Sequence, residues 1–355
     1  MRKTLKDMAQ YLKKLIPAEI PKVYAINPIF EKIADEKYIR KGILAFRDFL
    51  CRLCDRLIIE GDSYDKPKKD AHALADNTSI PINYPFLSNI RAILSNIGSN
   101  GVLSENSDSL LLNGNQSPAA GGNIFNLKLP DSKIAECLRF LTACGICIDG
   151  MDLSAKKTDI SKLESLVISY PDNPAMLTGL KVLTIAQSEL HTCGGEDVLL
   201  RCDYRALNTN AVEAVCFLKD TIRSLSIDIQ NFILQLHQRC LDKGLKCVAE
   251  IMNFYIRFKY FYKSKELWRL NVSLNNGYNI SIKANNTYQY ADTIEKFPVC
   301  LQKKIAKGYG CGKKRGLTDS CDGGCRGFRI PLDDSIIEIS GDIETWFDME
   351  LSCIK

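Results

Sequence analysis

Apolar residues recur at helical spacing through the first hundred residues of the chain. Three stretches show the pattern, and a polar segment from Gly61 to Pro81 separates the second from the third. Side chains that are apolar every three or four residues form one face of an amphipathic helix. The N-terminal region is therefore predicted to be helical. The apolar positions are Leu5, Met8, Tyr11, Leu12 and Leu15, then Ile43, Phe46, Leu50, Leu53 and Leu57, then those of PFLSNIRAILSNIG.

Between residues 131 and 243 the pattern predicts helices that alternate with short strands. Ile134, Cys137, Leu138 and Leu141 form the apolar face of one helix. A second helix is predicted to begin at Pro174 with Asn173 as its cap, and to end near Gly194. Strands are expected near 146–148 and 166–169 and over DVLLRCDY, and two further helices are expected at about 211–223 and 226–243.

The strongest strand signal lies at 246–285. Three runs alternate apolar and polar residues, and Asn275, Asn276 and Gly277 mark a hairpin turn between the last two runs. Because the links are short, the strands are predicted to pair antiparallel as a meander with helices on one face. A hairpin is also predicted from 102–104 and 110–112. The fold class that follows is α+β: a helical N-terminal region, a mixed α/β segment, and an antiparallel meander flanked by helices.

NGNQSPAAGGN, at 113–123, contains almost nothing that a core would bury. A stretch rich in Asn, Gly, Ser and Pro is typical of a flexible connection. The predicted organisation is a mainly helical basic region at 1–112, a linker at 113–130, and an α+β domain at 131–355 that ends in a Cys/Gly-rich loop.

Composition and charge describe a globular chain with two basic regions. The chain has 355 residues, of which 46% are hydrophobic and 25% charged, with a net charge of +5. Residues 1–70 contain 16 lysines and arginines against 11 acidic residues, and residues 301–330 contain eight against two. Either region is a candidate for an anionic partner or is ordinary solvated surface. No long apolar run or export signal appears, so the expectation is a cytoplasmic protein with no membrane segment and with most of its 15 cysteines reduced.

Three cysteines lie in GYGCGKKRGLTDSCDGGCRGF, at 308–328. Their neighbours are Gly, Lys, Arg, Asp, Ser and Thr, which offer no core to bury a thiol. Thiolates need cationic surroundings or a metal, and glycines let the backbone wrap closely around one. Structural zinc takes four ligands, so the predicted zinc site uses Cys311, Cys321, Cys325 and Cys353, with Cys300 as the alternative fourth ligand. Cys300 is expected on the apolar side of a helix, and the other interpretation of the cluster is reduced surface thiols.

The remaining cysteines and histidines favour packing roles. Cys51 and Cys54 lie in mid-helix, and Cys144 and Cys147 follow a helix, whereas redox CxxC pairs precede one. His191, Cys193 and Cys202 fall within twelve residues, but a histidine in the last turn of a helix and a cysteine in a buried strand explain them as well.

No catalytic signature is present: the chain lacks a phosphate loop, a strand-linked GxGxxG, HExxH and GxSxG. The favoured hypothesis is a non-enzymatic binding or regulatory protein. The alternative is a small-molecule enzyme with a pocket over the 246–285 sheet that uses Asp333 and Asp334 or an open metal position, although such an acidic pair is more often a turn or cap.

Nucleic-acid binding is a further hypothesis on two weak signals. The helix at 86–97 followed by a hairpin has the order of a winged helix, but its reading helix would contribute only Arg91. In NFYIRFKYFY, Arg257 and Lys259 lie between aromatic rings as in base-stacking strands, but a half-buried strand explains this alternation more simply.

Residues 85–355 resemble a group of clostridial proteins to which no activity is assigned. The resemblance rests on ISYPDNPAMLTGLKV, IEKFP, GYGCGKKRG and CDGGCRGF. It implies a bacterial cytoplasmic protein, and it implies no functional residue.

Overall fold

The computed structural model divides into two compact units, which are described separately. Unit 1 comprises Met1–Ala211 with Met252–Phe254, and unit 2 comprises Val212–Ile251 with Tyr255–Lys355. The fold class is α+β, as predicted. The structure describes residues 4–64, 85–114, 124–125, 127–155, 159–189, 197–208, 214–251, 255–273, 277–283, 286–306 and 327–354.

Unit 1 is built mainly of helices. A capping box starts the first helix, because the Thr4 hydroxyl accepts from the Asp7 amide and the Asp7 carboxylate accepts from the Thr4 amide. The Asp35 side chain caps the second helix by accepting from the Tyr38 amide. The helices are α1 (Leu5–Leu15), α2 (Glu36–Glu60), α3 (Pro85–Asn100), α4 (Asp131–Ala143), α5 (Ala175–Glu189) and the one-turn α6 (Asp197–Leu200).

A four-stranded antiparallel sheet completes unit 1. Its strands are β1 (Val102–Leu103), β2 (Ser109–Asn113), β3 (Cys147–Asp149) and β4 (Ser165–Ser169), in the order β1-β2-β4-β3. Strand β2 pairs along its whole length with β4. The sheet thus joins chain from both sides of the sequence-predicted linker at 113–130, and the two compact units divide instead at Ala211 and Val212.

Helices α2 and α5 approach so closely that their backbones touch. A Cβ added to Gly179 would lie 2.2 Å from the main-chain oxygen of Gly42, and one added to Gly42 would lie 2.7 Å from the oxygen of Ala175. Only glycine fits at either position. Helix α3 also lies close to α5, but here the contact is with a side chain: a Cβ on Gly98 would lie 2.2 Å from the hydroxyl of Thr184.

Unit 2 is a five-stranded antiparallel meander with helices, in the order β5-β6-β7-β8-β9. Its strands are β5 (Lys246–Ile251), β6 (Tyr255–Tyr262), β7 (Lys265–Ser273), β8 (Gly277–Lys283) and β9 (Gly327–Pro331). Its helices are α7 (Ala214–Ile222), α8 (Ile227–Asp242), α9 (Ala291–Ile294), α10 (Val299–Ala306), α11 (Ser335–Glu338) and α12 (Ser340–Ser352).

One face of this sheet packs against helices. The Tyr260 ring stacks on Trp268 with centroids 4.0 Å apart, the indole of Trp268 donates to the Cys240 sulfur on α8, and Phe328 meets Trp346 of α12 edge to face. His237 Nδ1 lies 2.7 Å from the Tyr260 hydroxyl. These side chains are almost fully buried and form the core of unit 2.

Most predicted elements are confirmed, including the hairpin at 102–112, the strands near 146 and 166, the helices near 211 and 226, and the meander. The strand predicted over DVLLRCDY is wrong: Asp197–Leu200 is helical and Tyr204–Leu207 is a 3-10 turn. A short buried apolar run has no periodicity that distinguishes a strand from a helix. No described helix has both the length and the apolar character needed to cross a membrane.

Replacement of Gly179 by alanine is expected to destabilise unit 1. The new methyl group would overlap the main chain of Gly42, and overpacking of this kind costs about 1–3 kcal/mol in free energy of unfolding. Urea unfolding followed by far-ultraviolet circular dichroism would measure the change. Gly341→Ala is the control, because the added Cβ meets no atom within 4 Å. Equal stability of the two variants would contradict the close helix contact.

Unit 2 is expected to lose stability as the pH falls below about 6.5. Burial lowers the pKa of His237 below its usual value, so the unfolded chain takes up a proton before the folded one does. The stabilisation is therefore present above the unfolded pKa and is lost as the pH falls toward the folded pKa, by at most about 1.4 kcal/mol per pH unit. Both tryptophans of the chain lie in unit 2, so tryptophan fluorescence during urea unfolding reports on it. His237→Gln should flatten the dependence, and an unchanged slope would refute the assignment.

Candidate functional site

Three of the four predicted zinc ligands, Cys311, Cys321 and Cys325, lie outside the described residues. Cys353 follows α12 and is half-buried, and burial raises the pKa of its thiol. In the ranges that the structure describes, no three His, Cys, Asp or Glu side chains gather so as to hold a metal. The zinc site therefore stays a prediction.

Cys300, the alternative fourth ligand, was expected on the apolar side of a helix, and this is wrong. It is exposed on α10, while Leu301 and Ile305 of the same helix are buried. Ile294 and Phe297, which suggested an apolar side, are buried but lie before α10. Ile294, Phe297 and Cys300 are spaced three residues apart in the sequence, but a new helix, α10, begins after Pro298. The spacing therefore does not place Cys300 on the same side as the two earlier residues.

The other sequence candidates are packed or capping groups. His191 and Cys193 lie outside the described residues, and Cys202 is fully buried in a turn, where its thiol donates to the main-chain oxygen of Ile43 at 3.5 Å. Asp333 and Asp334 are exposed, and the Asp333 carboxylate accepts from the Ser335 amide and hydroxyl. This is the turn-and-cap role that the sequence left as the plainer interpretation.

Buried thiols in the two CxxC pairs are not activated. Cys54 and Cys144 are almost fully buried, and burial raises the pKa of Cys144 to about 12 and that of Cys54 further. Cys144 follows α4, so its pair with Cys147 comes after a helix, as the sequence predicted. A thiol with so high a pKa is neither a nucleophile nor a redox group at neutral pH.

The helix proposed to read DNA is largely packed within unit 1. Helix α3 contacts α4 and α5, and its Arg91 is half-buried. On α4, which directly precedes the β3–β4 hairpin, Lys133 pairs with Glu136 and Arg139 donates to the main-chain oxygens of Leu153 and Ala155. Neither helix presents a row of cations that would follow a phosphate backbone.

The face of the unit 2 sheet opposite its core is rich in cations. Because side chains alternate, Phe258 and Tyr260 point to the core, while Arg257 and Lys259 point to the other side. We call this side the cationic face. Its charged and polar residues are Lys246, Glu250, Arg257, Lys259, Arg269, Asn271, Asn279, Ser281, Lys283 and Arg329, with Glu266 beside the bulge in the β6–β7 pairing.

Strand register arranges part of this face in a row. Lys259 lies opposite Arg269, Arg269 opposite Ser281, and Ser281 opposite Arg329, so that one row crosses β6 to β9. Neighbouring strands are about 4.8 Å apart. Like charges directly opposite each other destabilise an antiparallel pair, so the pairing of Lys259 with Arg269 costs the fold free energy.

Two carboxylates on the face partly offset the cations. Glu250 pairs with two cations of β6: its Oε1 lies 2.6 Å from Lys259 Nζ, and its Oε2 lies 3.6 Å from Arg257 Nη1. Glu266 Oε1 lies 3.5 Å from Arg269 Nε. Among the described residues of this face, six side chains are cationic and two are acidic. The side chains of Arg257, Lys259 and Arg269 are only 17–18% exposed, whereas Lys246 and Arg329 are exposed.

The centre of the cationic face contains neutral polar groups. The Asn271 amide donates to Asn279 Oδ1 at 3.1 Å and to Ser281 Oγ at 3.0 Å. Amide and hydroxyl groups both donate and accept hydrogen bonds. Asn271 and Asn279 are half-buried and retain some contact with solvent, whereas Ser281 is buried.

Sequence reasoning found Arg257 and Lys259 but not the surface. The alternation of charge with aromatic rings showed that β6 has a charged side, whereas the contribution of Arg269 and Arg329 depends on strand register. The sequence signal for this surface was that polar or charged residues occupy every second position of several strands. Comparison of the chain with protein-family models, with curated proteins and with solved structures found no match.

Proposed function

We propose that this is a non-enzymatic binding protein whose cationic face binds an acidic surface of another protein. The observation that carries the proposal is the row formed by Lys259, Arg269 and Arg329, with Ser281 between the arginines. The row brings the like charges of Lys259 and Arg269 opposite each other, and cations outnumber carboxylates among the described residues of the face. An anionic partner would offset both and would be drawn to the face by its field.

An acidic protein fits this face better than a nucleic acid does. Single-stranded nucleic acids bind by stacking several bases on aromatic rings as well as through charge. Phe258 and Tyr260 point into the core, and Phe261, opposite Lys246, is the ring of β6 shown on the cationic side. Glu250 and Glu266 would repel a continuous phosphate backbone. A protein surface can place carboxylates at the cations and amides at Asn271 and Asn279, and charge patterns of mixed sign give specificity between proteins.

An enzymatic role has less support. Asp333 and Asp334 are exposed and one of them caps a turn. The cavity between α8, α12 and the sheet is lined by apolar and aromatic side chains, among them Leu236, Ile280, Ile343 and Phe347. Such a lining offers no general acid or base.

Charge reversal on the cationic face is expected to weaken binding of an acidic peptide. The probe is a fluorescein-labelled peptide of alternating glutamate and glycine, and fluorescence anisotropy measures its dissociation constant. Lys283→Glu with Arg329→Glu should weaken binding about tenfold or more, and binding of the unmodified chain should fall as salt rises.

The matched control is Lys219→Glu with Lys296→Glu, which changes net charge equally at exposed positions that are not on the strands of the sheet. Equal weakening by both double variants would mean that net charge alone attracts the peptide and would refute the face. Duplex or single-stranded DNA is tested in the same assay. If DNA binds more tightly than the peptide, and Lys283→Glu with Arg329→Glu weakens DNA binding as well, the partner would be a nucleic acid and not an acidic protein.

The predicted zinc clamp has its own test. Chain purified under reducing conditions without a metal-binding tag should contain close to one zinc per molecule by elemental analysis. Cys321→Ser or Cys325→Ser should release it, because structural metal binding is coupled to folding. Cys353→Ser tests the fourth ligand, and Cys51→Ser is the control that should keep the metal. Metal-free protein whose Cys311, Cys321 and Cys325 alkylate freely would refute the clamp.

A further inference from the structure

Unit 1 contains a group of three buried charged side chains. Arg201 and Asp203 are 0% exposed and Arg205 is 3% exposed. Arg205 Nε donates to Asp203 Oδ1 at 2.6 Å, which pairs one arginine with the one aspartate. We call these three residues, two arginines and one aspartate, the buried arginine cluster.

Among the residues that the structure describes, Arg201 has no hydrogen-bond partner. None of its three guanidinium nitrogens makes a hydrogen bond, and the nearest carboxylate oxygen, Asp203 Oδ2, lies 3.7 Å from Nη2. Asp203 Oδ2 also lacks a hydrogen bond. Arginine cannot relieve its burial by losing a proton, and native proteins almost always pair a buried charge. Within the part of the chain that the structure describes, Arg201 therefore has only a long ion pair with Asp203 and no acceptor at hydrogen-bond distance.

The backbone holds the cluster in a strained turn. Cys202, between Arg201 and Asp203, has φ of +50°, which a residue with a side chain seldom adopts. The turn is fixed by the Cys202 thiol bond to Ile43 and by the bond from the Asp203 amide to the Val198 oxygen. Strain of this kind is kept where surrounding contacts require it, and such places are often ligand sites.

The two orphaned groups differ in what they need. Arg201 offers up to five N–H donors and needs acceptor oxygens, while Asp203 Oδ2 is an acceptor and needs a donor. A simple carboxylate supplies only acceptors. Hydrogen phosphate supplies both, since its charged oxygens accept from a guanidinium in the bidentate way and its P–OH group donates to a carboxylate.

We propose that the buried arginine cluster binds hydrogen phosphate, with Arg201 as the principal donor and Asp203 as acceptor of the phosphate hydroxyl. The site belongs to unit 1, does not involve the cationic face, and stands or falls separately from the proposed protein partner. The phosphate would also bring negative charge to Arg201.

The test uses the full chain, purified without phosphate, and sodium phosphate as the probe. Isothermal titration calorimetry should show one phosphate bound per chain, and the melting temperature should rise with phosphate but not with sodium chloride at equal ionic strength. Arg201→Met keeps most of the side-chain volume without the charge. It should weaken phosphate binding at least tenfold and remove the thermal shift.

The same variant separates a ligand site from a structural ion pair. If Arg201 awaits a ligand, Arg201→Met should melt no lower than the unmodified chain in phosphate-free buffer, because an uncompensated buried charge is removed. A lower melting temperature with the phosphate shift intact would overturn the proposal. Arg52→Met, which removes the exposed pair with Asp172, is the control and should keep the full phosphate response.

Two further outcomes would identify a different partner. Sodium acetate that matches phosphate in binding and thermal shift would replace the phosphate assignment by a carboxylate. The second outcome is that neither anion has an effect, while Glu196→Gln or Glu213→Gln lowers stability in the unmodified chain but not in the Arg201→Met variant. Arg201 would then be paired with a glutamate of the chain itself. Each result would refute the phosphate site.

Discussion

The backbone contact between Gly42 and Gly179 is the constraint on which unit 1 depends. Because neither residue has a side chain, α2 and α5 approach until the main chains meet. Helix α5 also packs against α3 at Thr184. Lys181 Nζ of α5 donates to the main-chain oxygen of Gly101, just beyond the end of α3. Positions on three helices are therefore fixed from one crossing, and apolar side chains fill the space that remains.

The same crossing fixes the buried arginine cluster. The residue after Gly42 is Ile43, whose main-chain oxygen accepts from the Cys202 thiol. A second tie joins the Asn27 amide to the Leu207 oxygen at the end of the cluster segment. The strained turn is thus tied to the helix pair at one end and to the chain before α2 at the other, so the arginines cannot turn outward without breaking the packing.

Sequence periodicity predicted most helices and strands because their burial is one-sided. Periodicity failed where a segment is buried on all sides. Val198, Leu199 and Leu200 are all fully buried, so their one helical turn has no polar side. Strand β9 was missed because its place in the sheet comes from pairing with β8. Both candidate sites depend on such tertiary facts. Arg201, Asp203 and Arg205 at every second position within an apolar stretch were a visible sign of buried charge, but the missing partner could be recognised only from the contacts.

The order of strands in unit 2 has a consequence for how the chain folds as it is synthesised. Strands β5 to β8 follow one another through short turns, so each can pair soon after it emerges, at small cost in loop closure. Strand β9 comes only after residues 284–326, and until then the outer edge of β8 has no neighbour. An open edge is a template for pairing with other chains. Strand β9 therefore pairs with the free edge of β8 late in synthesis. Before it does so, the open edge makes nascent unit 2 most prone to aggregation.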